Sequence, residues 1–159
     1  MLRKIEVNDV NVVNTQENKE CLGCALANQD LLVHVVYEDE FVCCFLDHDP
    51  FNEGHALILP KKHFRYVDEF DPQTAIAIME ASQLLSKAIK KLFNPDGITI
   101  CQNGGKIDEL SHYHMHVVPR YKNQTFASFY TEEPWSNENL KNKLVTTRVE
   151  LTKIIAELL

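Results

Sequence analysis

Long apolar runs, an even set of cysteines and a surplus of positive charge are all missing from this chain of 159 residues. Without an apolar stretch near the roughly 20 residues that a bilayer demands, no membrane-spanning helix is expected. The first twenty residues, MLRKIEVNDVNVVNTQENKE, also lack the continuous apolar core of a secretory leader. Cysteines number five, with Cys43 and Cys44 adjacent and Cys21 and Cys24 in a C-x-x-C pair. An odd, clustered set fits a disulfide framework poorly and fits a reducing cytoplasm better. A formal net charge of −7 argues against a general nucleic-acid binder, which depends on attraction to phosphates. It leaves room for a small phosphorylated ligand, because one local cluster of donors overrides a weak global field. With only five glycines and six prolines, neither disorder nor a fibre is indicated, and no linker divides the chain.

What is present is ordinary globular composition, 45% hydrophobic and 25% charged, at a length that closes one core. Residues 1–20 are polar and irregular and are expected to form an arm, leaving 21–159 as a single domain with a C-terminal helical extension. LLVHVVYED (31–39) and FVCCFLD (41–47) are short, β-branched and aromatic, and read as two strands of a hairpin. DPFNEGH forms a loop into a third strand, ALILP, which Pro60 ends. Asp71 suits a helix N-cap and Pro72 the first helical position, and Ile78, Leu85, Ile89 and Leu92 recur at helical spacing until Asn94-Pro95. GITICQN and HYHMHVVPRY give a fourth and a fifth strand. Ser136 suits the cap of a last helix with Leu140, Leu144, Leu151, Ile154 and Leu158 as its apolar stripe. The order β-β-β-α-β-β-α implies an α+β domain: a mainly antiparallel sheet of about five strands, one central helix and a C-terminal helix.

Three of the seven histidines, His112, His114 and His116, alternate within SHYHMHVVPR. On a strand they share one face, roughly 6.6 Å apart per two-residue step, while Tyr113, Met115 and Val117 face a core. In a helix His114 would point away from the other two. Three readings are open: solvated side chains, a metal site using an H-x-H pair, or catalysis by one imidazole with its neighbours as donors to an anion. Cys21 and Cys24 form a typical half-site for zinc, and His63 in LPKKHF lies just past a strand end. Two buried small cysteines are the plainer reading of that pair.

HYHMHVV resembles the histidine triad signature, three histidines alternating with apolar residues, here followed by Pro-Arg. FLDHDPFNEGHALILPKKH is similar to the strand, loop and strand that precede that family's central helix, so the likeness spans roughly Cys21 to Tyr121. The resemblance implies a HIT-like fold and a nucleotide hydrolase acting on the α-phosphate of a nucleoside phosphoramidate or dinucleoside polyphosphate. His114 would be the nucleophile of a covalent nucleotidyl-histidine intermediate, with His116 and His55 donating to phosphate oxygens. An imidazole with a reference pKa near 6.5 is largely neutral at cytoplasmic pH, and it is also a competent leaving group. Asp47 matches an acidic residue that binds ribose hydroxyls, though it is equally a turn residue ending a strand. Asn103 falls near a family asparagine at the phosphates, though NGG is equally a plain turn. Phe45 and Leu46 are candidates for an apolar base pocket.

The zinc-containing branch of the family implies Cys21, Cys24, His63 and His112 as ligands of a structural ion, since four protein ligands close the coordination sphere. A homodimer is implied as well. Where most triad hydrolases carry a Gln and then a Ser or Thr before the first histidine, this chain has Asp108-Glu109-Leu110-Ser111. Two carboxylates there repel a phosphate unless a cation or Lys106 intervenes. Two other functions therefore stay open: a zinc-dependent hydrolase with a catalytic metal at the triad, and a nucleotide-binding module with vestigial catalysis.

Overall fold

The computed structural model describes residues 21–108, 110–130 and 135–159; the expected arm over 1–20 and Glu109 lie outside the described residues. Five strands, β1 (Val35–Glu38), β2 (Val42–Leu46), β3 (Ala56–Pro60), β4 (Gly97–Cys101) and β5 (Met115–Arg120), form one sheet in the order β1-β2-β3-β5-β4. Every neighbouring pair is antiparallel. Four α-helices accompany it: α1 (Leu22–Ala27), α2 (Pro72–Phe93), α3 (Glu138–Lys141) and α4 (Leu144–Leu158). This is the expected α+β architecture. No helix among the described residues is long and apolar enough to cross a membrane.

Strand alternation gives the sheet two different faces. Val42, Cys44 and Leu46 of β2, Ala56 and Ile58 of β3 and Val117 of β5 join Ile78, Leu85 and Ile89 of α2 and Leu151 and Ile155 of α4 in the main core. Cys43, Phe45, Leu57 and Leu59 point the other way, into a smaller cluster with Ala27 of α1. His116 pairs with Leu57 of β3 and with Cys101 of β4, which puts it in the middle of the sheet between two neighbours. Helices α2 and α4 thus cover one face, while α1 covers only part of the other, where His116 also lies.

The central helix begins as its sequence requires. Asp71 Oδ1 accepts from the Thr74 amide at 2.8 Å, and Asn94 closes the helix in the left-handed conformation with φ 44°. Other boundaries differ from expectation. The first strand starts at Val35, because Leu31 and Leu32 lie outside the sheet with Leu32 96% exposed. The last helical region is broken at Asn142-Lys143 and capped by Asn137, whose side chain accepts from the Leu140 amide, with Ser136 outside it. Its buried line is Leu144, Thr147, Leu151 and Ile155, while Leu158 remains 39% exposed. Helix α1 was not expected at all; six residues give too short a periodicity to read. The fifth strand begins at Met115, so His112 and His114 precede it.

Gly54, one residue before His55, has φ +91°, and a Cβ there would stand 2.4 Å from Phe93 Cε2 at the end of α2. The loop can reach β3 only with glycine at this point. Gly54→Ala is expected to lower unfolding free energy by about 1–3 kcal/mol, from left-handed strain and the ring displacement together. Urea denaturation against the wild type measures it.

Candidate active site and Cys-His cluster

Helix α1 turns the C-x-x-C pair into a chelating geometry. Cys21 is its N-cap, with Sγ 3.4 Å from the Cys24 amide, so both sulfurs gather at the helix start. His112 Nδ1 lies 3.6 Å from Cys21 Sγ and 3.5 Å from Cys24 Sγ, and His63 Nδ1 lies 3.3 Å from Cys24 Sγ. The four ligand atoms all fall within 4.8 Å of one another. His112 Nε2 is 2.9 Å from the Pro60 carbonyl, which only accepts, so that nitrogen carries the proton and Nδ1 keeps its lone pair toward the sulfurs. This is how a metal-ligating imidazole is oriented. Gly23 permits the approach, since a Cβ there would stand 2.2 Å from His112 Cβ. Burial, with the hydrogen bond and charge of Cys21, pushes the Cys24 thiol up to about 12. A divalent cation reverses that preference by binding the thiolate. The donor set therefore suits zinc.

The three histidines of the motif do not share a strand face. Ser111 adopts φ 53°, and the Tyr113 amide donates to the Phe64 carbonyl at 2.7 Å, so residues 110–114 bend before β5 begins. His112 turns into the Cys-His cluster, its ring stacked edge-on against His63 at 5.2 Å, while His114 and His116 keep their rings 5.1 Å apart.

The hydrogen bonds fix which nitrogens carry protons. His114 Nδ1 is 2.9 Å from the His112 carbonyl oxygen, so it must donate, and the free lone pair of the neutral ring is on Nε2. The Phe51 amide donates to His55 Nδ1 at 3.1 Å, which places the His55 proton on Nε2. His55 Nε2 lies 2.9 Å from His116 Nδ1 and donates to it, leaving the His116 proton on Nε2. Burial holds His55 well below the usual histidine range and brings His116, with help from neighbouring His114, down to about 4. Both rings are thus neutral at neutral pH, and the relay of donors runs one way, toward His116 Nε2.

Asp47 ends β2, donates its amide to the His55 carbonyl at 2.9 Å, and sets Oδ2 3.5 Å from His55 Nε2. Its carboxyl is pushed up to about 6, chiefly by burial. Phe45 lies on the same sheet face as His116, whereas Leu46 packs into the main core on the opposite face. Asn103 is exposed and two residues beyond Cys101, the strand partner of His116. Asp108 carries a fully buried side chain with Oδ1 3.6 Å from His114 Nδ1.

An aromatic wall was not read from the sequence. Phe129 and Trp135 stand 6.0 and 5.6 Å from His55, Phe129 is 5.9 Å from His116, and Phe51 packs edge-on against both aromatic rings at 5.4 Å. Arg120 lies over the rings of Phe51 and Phe129 at 5.0 and 5.7 Å and donates to the Thr125 carbonyl at 2.7 Å. Phe129 and Trp135 come from the tail after the motif, where no periodicity marks them, and Phe51 comes from the loop before β3.

A family model described as the HIT domain matches residues 29–123. Protein hit of Bacillus subtilis is 35% identical over 129 residues, covering 78% of this chain and 89% of its own length. Adenosine 5'-monophosphoramidase of Saccharomyces cerevisiae is 31% identical over 102 residues, covering 63% of this chain and 62% of its own. Among solved structures, a zinc-bound histidine triad family protein from Mycobacterium smegmatis matches with TM-score 0.72 at 26% identity, over 89% of this chain and 96% of that one. The matched span contains the motif and His55, while Cys21, Cys24, Phe129 and Trp135 fall outside it.

The depressed His116 gives a pH signature. Its stabilising share is full above the ordinary pKa of about 6.5 and is lost as pH falls toward about 4, because the unfolded chain accepts the proton first. Between those limits wild type should lose about 1–3 kcal/mol relative to His116→Gln. Thermal melts of the pair across that range read the difference, and parallel curves would contradict it.

Proposed function

Because the chain belongs to the histidine triad family, we propose that it is a nucleotide hydrolase working through His114. The observation that carries this reading is the 2.9 Å contact from His114 Nδ1 to the His112 carbonyl, which commits Nδ1 as donor and leaves the Nε2 pair for attack. Nε2 forms a bond to the α-phosphorus as the bond to the leaving group breaks, and that group departs with the electron pair. The ring keeps its Nδ1 proton and becomes cationic. Water then bonds to phosphorus, releases a proton to solvent, and the P–N pair returns to Nε2. His116 Nε2–H, fed by His55, donates to the phosphate oxygens where charge builds.

The proposed substrate is a nucleoside phosphoramidate, in keeping with the activity named for the yeast relative, or alternatively a dinucleoside polyphosphate. In this reading Asp47, 3.5 Å from His55, serves the ribose hydroxyls, Phe45 on the sheet face of His116 serves the nucleobase, and Asn103, two residues beyond Cys101, serves the phosphates. His114→Ala should abolish release of nucleoside monophosphate and the nucleotidyl adduct seen by intact-mass spectrometry, with zinc content unchanged. Full turnover in that variant would refute the assignment.

Cys21, Cys24, His63 and His112 are the proposed ligands of a structural zinc. Bound there, zinc supplies positive charge to two thiolates and ties α1 to the end of β3 and the motif. Cys24→Ser is expected to cut metal content from about one ion per chain to under half and to lower Tm by several degrees, read by elemental analysis and calorimetry.

A second reading has one observation in its favour: Asp47, His55 and His116 also bring ligand atoms within 4.8 Å of one another. A catalytic metal there would require two ions per chain and loss of activity on mild chelation without unfolding. The relay of proton positions is satisfied within the protein, so the covalent route is preferred. Two further parts of the proposal are a homodimer, for which the half-exposed edge strand β4 offers the free hydrogen-bonding edge, and a cytoplasmic location, for which the odd thiol set speaks.

A further inference from the structure

We propose that Asp108 is a positioning residue of the His114 reaction, its buried carboxylate stabilising the positive charge that the ring acquires once Nε2 is bonded to phosphorus. The inference rests on the His114 reading above.

The carboxylate is an unusual thing to find here. Asp108 Oδ1 accepts the Leu110 amide at 2.8 Å, which shapes the loop before the motif, and the same oxygen lies 3.6 Å from His114 Nδ1. That separation exceeds a hydrogen bond and leaves the His112 carbonyl as the direct partner of Nδ1. It is an ion-pair distance for a ring that becomes cationic. Oδ2 is buried and has no hydrogen-bond partner among the described residues, so the fold does not consume the charge. A buried carboxylate with one oxygen unsatisfied costs stability, and retaining one beside a nucleophile is characteristic of reactive sites.

The charge has a definite moment of use. The nucleophilic form of the His114 ring is by definition uncharged and gains little from Asp108. As the Nε2 pair becomes the P–N bond, and the leaving group takes its own pair away, the ring retains its Nδ1 proton and acquires a full positive charge. The buried carboxylate lowers the energy of that state in a medium that screens weakly. When water displaces the ring the charge disappears, so the same carboxylate opposes the second step. Asp108 thus favours formation of the adduct over its breakdown. Repulsion between Asp108 and the substrate phosphate predicts the reverse, faster attack and tighter binding once the charge is removed.

Asp108→Asn separates the two, because its side-chain oxygen still accepts from Leu110 while the charge is gone. Zinc-loaded wild type and variant, in excess over diadenosine triphosphate and over adenosine 5'-phosphoramidate in turn, are quenched in base at timed intervals and the adduct is quantified by mass. Adduct formation should slow by roughly 10-fold or more while adduct hydrolysis stays equal or quickens, with zinc content unchanged and Tm equal or raised. Formation at the wild-type rate or faster overturns the proposal, and so does an equal loss in both steps, which marks a role in loop shape alone. Should Asp108→Asn not fold, Asp108→Ser, whose hydroxyl can still accept from the Leu110 amide, is read by the same two criteria. Absence of any adduct in wild type itself overturns the His114 reading and this inference with it, whereas an adduct formed equally fast in wild type and variant removes only the role of Asp108.

Discussion

The carbonyl of His112 is the point on which the site turns. It accepts from His114 Nδ1 at 2.9 Å and so decides which nitrogen of that ring keeps its lone pair. That carbonyl is in place because the imidazole of the same residue is fixed on the other side, with Nδ1 3.5 Å from Cys24 Sγ and Nε2 2.9 Å from the Pro60 carbonyl. One residue therefore couples the Cys-His cluster to the His114 ring through its own backbone, with no intervening side chain. The bend at residues 110–114 makes this coupling possible, since a continued strand would leave the carbonyl paired with a neighbour.

A second line of constraint reaches the site from the opposite edge. Gly54 lets the loop after β2 pass Phe93, the Phe51 amide orients His55, and His55 orients His116. Each link is a hydrogen bond with only one chemically sensible donor, so the proton positions along it are determined by a single backbone N–H. The aromatic wall of Phe51, Phe129 and Trp135 beside these rings adds to the burial that keeps them neutral. The tail of the chain thus contributes to the electrostatics of a motif far earlier in the sequence.

The buried carboxylate of Asp108 belongs to neither line and gives the site its asymmetry. The same His114 Nδ1 meets a neutral acceptor at 2.9 Å that sets the tautomer and, at 3.6 Å, a buried carboxyl. The cost of burying that carboxyl falls on the folded state, and on the proposed route its benefit comes when the ring becomes cationic. A site of this kind is legible as chemistry because its local energetics conflict with simple stability.

The order of the strands and the central helix, the caps of that helix, the C-x-x-C pair and the alternating histidines were legible in the sequence, because each rests on local periodicity or on residue type; the short helix α1 was not. Asp71, Pro72 and Asn94 mark their helix by backbone chemistry that no distant contact alters. The sequence also pointed to His114 as distinct from His112, but only through likeness to a family; strand alternation by itself grouped the three. Separating them required the third dimension. Pairing of Leu57 with His116, closure of α1 over His112 and the turn at Ser111 depend on contacts far apart in the chain, which no local pattern encodes. The same holds for Leu46 and Phe45, adjacent in sequence yet on opposite faces of the sheet, and for Phe129 and Trp135 beside His55. Residue chemistry is a property of the chain, whereas which lone pair is free and which charge is buried are properties of the packing.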